Sequence, residues 1–186
     1  LCASAALARA AASRGLHEAV TWSFLPEKEA AHFADGEAIW TLANPISEDL
    51  KAMRPALLPG LLLAAKRNGD RGASSSRLFE IGRRYFRGGN GLSDEKPTLG
   101  IVLAGEKTPR GWQSGKGKSF DAYDAKAEVL ALLAAAGVAT DNLMVMDEAG
   151  PHYHPGQSAT LRPGPPPSAK YAVGCSLRAP SAMQLA

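Results

Sequence analysis

The tightest constraint on the fold comes from two neighbouring stretches, LLPGLLLAAKRN from Leu57 and RLFEIGRRYF at 77–86, linked through the polar turn RGASSSR. Leu57, Leu58, Leu61, Leu62 and Ala65 recur at helical spacing, and with Leu63 the apolar stripe is wider than one core-facing seam needs. The basic tail of this helix, Lys66, Arg67 and Arg71, suits the negative end of the helix dipole. Residues 77–86 read as a strand, and they set a carboxylate, Glu80, between Phe79 and Ile81. On a buried face that carboxylate needs a guanidinium, for which Arg54 and Arg83 are the candidates.

Around this pair the pattern changes period repeatedly. Residues 3–14 are Ala-rich and stop at Gly15, which predicts a short helix. From His17 to Leu25, Val20, Trp22 and Phe24 fall on one side of an extended chain and Ala19, Thr21 and Ser23 on the other, which predicts a strand. Pro26 opens a charged helix, PEKEAAHF, and AIWTL at 38–42 reads as a second strand. A glycine-rich loop between 77–86 and the strand PTLGIVLA (97–104) makes a hairpin. Asp121 is placed to cap a helix ending at Ala136, with Gly137 as its stop. NLMVM (142–146), QSATL (157–161) and KYAVGCSL (170–177) are further strands, the last two separated by a Pro-rich turn at 162–169. The irregular order of helices and strands disfavours a repeated βαβ fold and predicts an α+β domain around a largely antiparallel sheet.

Charge and composition exclude several function classes. The formal charge of +3, from 21 Lys plus Arg against 18 Asp plus Glu, is too small to mark a nucleic-acid binder without clustering. No uninterrupted apolar run reaches the roughly 18 residues of a spanning helix. Cys2 and Cys175 lack any CxxC or Cys/His ligand spacing, which fits a reducing, cytoplasmic setting and no metal site. With no initiating Met, the chain is expected to be a piece of a longer one. The segment GWQSGKGKS (111–119) imitates a phosphate loop, but Trp112 stands where the first glycine is needed, so a surface loop is expected. His152 and His154 lack a convincing third metal ligand. Arg67, Arg71, Arg77, Arg83, Arg84 and Arg87 form a loose basic cluster diluted by Asp70 and Glu80. A solvated face is the expected reading, with contact to RNA phosphates the alternative.

Five blocks occur in order along the chain: GLHEAVTWSFLPEKEAAHF, LANPISEDLKAMRPALLPGLL, LFEIGRRYF, FDAYDAKAEVLALLAAAG and YHPGQSATL. In order and spacing they resemble the bacterial phenylalanyl-tRNA synthetase beta subunit, in the part that looks like a class II catalytic core. The resemblance implies one class II synthetase-like α+β domain over 1–186, an antiparallel sheet flanked by helices. Arg77-Leu78-Phe79-Glu80 stands near the second class II motif, but no Gly-x-Gly-x-Gly-x-x-Arg follows residue 150. Without that arginine the pyrophosphate leaving group lacks its cation, so the resemblance implies a core with no catalytic residue and no cofactor of its own. ATP and magnesium belong to the whole enzyme. Pro55-Ala56 and Leu177-Arg178-Ala179-Pro180 depart from the family's usual Thr-Ser and Leu-His-Pro.

By the same resemblance, the role of the chain is assembly with the catalytic alpha subunit in an α2β2 enzyme that joins phenylalanine to its tRNA. Pro45, Leu57, Leu58, Leu61 and Leu62 are the subunit-interface candidates, with filling of a broad core as the competing reading. Arg67, Arg71, Arg84 and Arg87 are the RNA-contact candidates, and Arg54, Glu80 and Arg83 mark the place of a relic cleft. Two other functions compete with assembly: retention of an ATP or aminoacyl ligand in that cleft, and a basic RNA-binding module.

Overall fold

The computed structural model describes residues 2–89, 91–146, 152–154, 158–163 and 173–176. They form two compact units, one of Gly15–Val102 and one of Leu1–Arg14 with Leu103–Ala186. The chain opens on helix α1 (Cys2–Ser13), which belongs to the second unit, and leaves it through Gly15 at φ 79. That left-handed conformation favours glycine, as expected of a helix stop.

The Gly15–Val102 unit starts with β1 (His17–Glu18), β2 (Phe24–Leu25) and α2 (Glu27–His32), the last entered from Pro26 as its spacing predicts. A 3-10 turn (Glu48–Leu50) leads to β3 (Ala52–Met53), which pairs antiparallel with β2. Helix α3 (Leu58–Asp70) has Pro59 in its first turn, where a missing N–H is harmless. After it come the long strands β4 (Ser75–Arg87) and β5 (Ser93–Thr108), neighbours in one sheet and joined by the expected turn, in which the Gly88 amide donates to Leu92 O. On the other side β4 takes β1 in parallel register, His17 against Leu78.

Helix α3 lies on this sheet through Leu57 and Leu61, both buried. A Cβ on Gly100 of β5 would come within 3.0 Å of Leu57 Cβ, so the glycine admits the close helix approach. Burying each of these leucines is worth about 2–3 kcal/mol.

Two of the expected strands are cut short, for identifiable reasons. The stretch 17–25 is interrupted because the Thr21 amide, after Ala19 N has bonded Phe79 O, donates to the Glu80 carboxylate at 3.3 Å and not to a neighbouring backbone. Thr21 also turns its hydroxyl inward to Glu80, so alternation along the extended chain sends Val20 and Trp22 outward, 91% and 75% exposed. Segment 38–42 makes only a bridge from Thr41 to Ala52, flanked by bonds from Leu42 N to Lys51 O and from Met53 N to Trp40 O. Its partner edge is brief, because Pro55 offers no N–H to continue it.

In the unit of Leu1–Arg14 and Leu103–Ala186, the far part of β5 pairs with β6 (Lys118–Ser119). Helix α4 (Ala122–Ala135) follows and packs on α1, tied by an ion pair from Arg14 Nε to Glu128 Oε2 at 2.5 Å. Asp121 caps it with a reciprocal box: its carboxylate accepts from Asp124 N at 2.9 Å while Asp124 Oδ2 accepts from Asp121 N. Asp121→Ala is expected to cost about 1 kcal/mol of stability, read as a lower urea midpoint at unchanged m-value. Strands β7 (Leu143–Met146), β8 (Ser158–Pro163) and β9 (Val173–Ser176) form an antiparallel sheet in that order. The Pro-rich turn expected at 162–169 lies, beyond Pro163, outside the described residues, as do the flanks of the 170–177 strand and the 177–180 segment.

Candidate functional site

The three residues expected to mark a relic cleft all lie in the Gly15–Val102 unit, and they fall into two different settings. Glu80 sits in the middle of β4, where alternation turns it to the α3 side, and Arg54 lies just before Pro55 at the entry to α3. The Arg54 backbone is fixed at both ends: its amide donates to Ser23 O and its carbonyl accepts from Tyr85 N, each at 2.9 Å. The side chain therefore has one direction to go. Its Nη1 meets Glu80 Oε1 at 2.6 Å, and its Nε donates to Arg83 O at 2.9 Å. Thr21 closes the triangle, its hydroxyl donating to Glu80 Oε2 at 2.7 Å and lying 3.1 Å from Arg54 Nη1.

This is a sealed pair. Arg54 and Glu80 are 5% and 3% exposed, and their charges are compensated by each other and by Thr21. Two glycines make the seal possible. A Cβ on Gly82 would stand 3.1 Å from Leu57 Cδ2 and inside contact distance of Arg54 Nη2, and a Cβ on Gly60 would stand 2.7 Å from Thr21 Cβ. A nucleotide does not fit these residues, because the guanidinium that would meet a phosphate is already committed to Glu80, Thr21 and the Arg83 carbonyl. Arg83 contributes only backbone here. Its own side chain is exposed and paired with Glu95, whose hydrogen bond and charge raise the guanidinium pKa above its ordinary value.

The basic cluster does not stay together. Arg67 and Arg71 belong to the end of α3, beside the start of β4, whereas Arg83, Arg84 and Arg87 lie toward its other end. The ten steps from Arg77 to Arg87 span about 33 Å of strand. At the far end Arg84 Cζ lies 5.2 Å and Lys96 Nζ 5.1 Å from the centre of the Phe86 ring, so two cations flank one buried aromatic. The RNA-contact candidates are thus divided between two places, Arg67 and Arg71 at the end of α3 and Arg84 and Arg87 toward the far end of β4.

The leucine stripe divides as well. Leu57 and Leu61 fill the core, Leu58 and Leu63 are half-buried, and Leu62 is 37% exposed. The exposed apolar surface of this unit is carried more by Val20 and Trp22, which the pattern places together on one side of an extended chain, and by Ile46, which follows Pro45. The facing of Val20 and Trp22 is decided by the bond from Thr21 to Glu80, 59 residues away, and no neighbouring residue signals it.

The segment 111–119 is exposed throughout and is closed by a Gly111–Gly115 bridge, as a surface loop. Among the described residues no three His, Cys, Asp or Glu side chains are grouped as a metal site, and no helix is long and apolar enough to cross a membrane.

The fold has counterparts among solved structures. Two structures of the pyrrolysyl-tRNA synthetase of Desulfitobacterium hafniense superpose with TM-scores of 0.58 and 0.61 at 19% and 20% identity. They cover 86% and 87% of this chain and 52% and 54% of theirs. At that identity the likeness defines the class alone: an α+β fold of the class II aminoacyl-tRNA synthetase kind.

The family is narrower. Residues 3–166 match the model of the phenylalanyl tRNA synthetase beta chain CLM domain, and the chain belongs to that family. The phenylalanine–tRNA ligase beta subunit of Novosphingobium aromaticivorans is 75% identical over 157 residues, 84% of this chain and 20% of that protein. The corresponding subunit of Zymomonas mobilis is 57% identical over 157 residues, 84% of this chain and 19% of that protein. The chain therefore spans about a fifth of the length of these relatives.

Proposed function

We propose that this chain is a non-catalytic core of a phenylalanine–tRNA ligase beta subunit, serving to assemble with the catalytic alpha subunit in an α2β2 enzyme that uses ATP and magnesium to charge tRNA in the cytoplasm. One observation carries the reading: Arg54 and Glu80 neutralise each other in the core, so the guanidinium expected at a relic cleft is not available to a triphosphate. Rate enhancement in phosphoryl and adenylyl transfer comes from charges aimed at the developing anion, and a buried ion pair has none to spare. The direct test is ATP–pyrophosphate exchange by the purified chain with phenylalanine and magnesium. Exchange above background in the absence of a partner chain overturns the reading.

The assembly role draws support from exposed apolar side chains on the Gly15–Val102 unit, Val20, Trp22, Ile46 and Leu62, with Pro45 beside Ile46. Large exposed aromatics anchor interfaces, and truncating one at a hot spot costs about 2 kcal/mol or more, a loss of roughly 30-fold in affinity. Trp22→Asp is accordingly expected to weaken co-purification with the alpha subunit at least that much while leaving the circular dichroism spectrum unchanged. Undiminished co-elution of Trp22→Asp, and likewise of Leu62→Asp, removes this surface from the assembly role.

A further inference from the structure

We propose that the turn between β5 and β6 is a contact site for single-stranded RNA, with Trp112 as the platform for one stacked base and Arg110, Lys116 and Lys118 as the phosphate contacts. The turn lies within the unit of Leu1–Arg14 and Leu103–Ala186. Its backbone is closed: Gly111 and Gly115 exchange hydrogen bonds at 3.3 and 2.8 Å, and Ser114 Oγ donates to Pro109 O at 2.9 Å. Gly115 takes φ 68, the left-handed conformation that the reversal needs. Trp112 stands on this turn 92% exposed, and its side chain makes no ring contact or hydrogen bond among the described residues. A closed backbone fixes where the ring is presented, which lowers the ordering cost of binding.

The pairing of the two arms gathers the cations. Thr108 lies opposite Lys118, and an added Cβ at Gly117 would stand 3.4 Å from Arg110 N, so the backbone of Arg110 runs against the residue between Lys116 and Lys118. All three cations are exposed, and among the described residues none of them has a side-chain hydrogen bond or an ion pair.

The neighbouring acids do not cancel this charge. Asp124 is paired with Lys107 and, with Asp121, closes the capping box of α4. Glu106 is the one carboxylate between Gly105 and Ser119, and it is half-buried against Gly117, where an added Cβ would stand 2.8 Å from its Oε1. The chemistry of the turn also selects its partner. Apart from Trp112, Pro109 is the only apolar side chain between Pro109 and Ser119. A protein interface surrounds its aromatic anchor with further packing and is poor in lysine, and a membrane-seated segment needs a broad apolar face. One exposed ring among unpaired cations is instead what a single strand needs, because every base has a face to stack and every linkage a charge.

The choice of RNA over DNA rests on the function proposed above, whereas the stacking site itself does not, and the two are tested by different measurements. The test uses the whole 186-residue chain with a short unstructured RNA strand and with heparin, a polyanion without bases. Trp112→Leu is expected to weaken RNA binding about tenfold and to leave heparin binding unchanged, while Trp112→Phe, which keeps an aromatic face, loses about threefold or less. RNA is also expected to quench the tryptophan emission of the unsubstituted chain and not that of Trp112→Phe. Replacing Arg110, Lys116 and Lys118 together by Gln is expected to lower the log–log salt slope for RNA by about two.

The triple variant keeps Trp112, so its salt slope decides the charge half of the proposal even where Trp112→Leu disturbs the turn. RNA affinity untouched by Trp112→Leu, equal losses of RNA and heparin in that variant, or an unchanged salt slope in the triple variant each overturn the proposal. So does a loss in Trp112→Leu confined to phosphatidylserine vesicles, which assigns the turn to lipid, or confined to co-elution with the alpha subunit, which assigns it to a protein interface.

Discussion

Arg54→Met is expected to lower the unfolding free energy by about 3–5 kcal/mol, enough to leave a domain of ordinary stability close to unfolded. The substitution keeps much of the volume but strips Glu80, 3% exposed, of the cation at 2.6 Å and leaves the carboxylate only the hydroxyl and amide of Thr21. It also orphans the Arg83 carbonyl, which accepts from Arg54 Nε. Most of the loss is thus the cost of an uncompensated buried charge, and the double variant Arg54→Met with Glu80→Leu should recover much of it. Recovery stays incomplete because the Arg83 carbonyl and the Thr21 hydroxyl still lack partners, at about 1–3 kcal/mol for such groups. Arg54→Lys retains the charge without the fork and should fall between the two. Urea midpoints of the four proteins decide the matter, and a single-variant loss under about 1 kcal/mol contradicts a sealed pair.

Gly60→Ala sets two physical effects against each other, and the structure says which wins. Within a helix, alanine is better than glycine by about 1 kcal/mol, so propensity alone predicts a gain. Here the new methyl would arrive 2.7 Å from Thr21 Cβ, which cannot withdraw by rotating a side chain. Thr21 would have to move with its backbone, and its amide and hydroxyl are the groups that hold Glu80. A net loss of about 1–3 kcal/mol is expected, as for overpacking in a filled core. Gly69, near the end of the same helix, has nothing within 4 Å of its would-be Cβ, and Gly69→Ala should be neutral or mildly stabilising. Opposite signs at these two glycines in one helix, measured by thermal melting, separate packing from propensity.

Several parts of this molecule were legible from local pattern because local physics decides them. The capped helix at Asp121 ends beside Gly137 at φ 82 as its sequence predicts, and the α3 run and the 77–86 strand appear with only their ends extended. A buried acid requires a cation, so Glu80 announced its need, and Arg54 fills it. What could not be read was which way a segment faces when a distant side chain competes for its backbone. Thr21 is 59 residues from Glu80, and that bond both broke the expected strand and turned Val20 and Trp22 to the surface. The arginines failed as a cluster for a related reason: closeness in sequence along an extended strand is distance in space, whereas Asn68 and Arg77, nine apart, are brought together by the turn between helix and strand.

The parallel joining of His17 to Leu78 has a kinetic meaning. Those partners are separated by 61 residues, from 17 to 78, while the β4–β5 hairpin closes through a turn of a few. Loop closure is entropically costlier over the longer span, and only two residues of ladder reward it. The hairpin with its helix is therefore the part that can assemble early, and the edge strand docks last and lets go first. Slow-exchange labelling would find the amides of residues 17–19 among the earliest to trade their hydrogens, a seam along which the unit opens without melting.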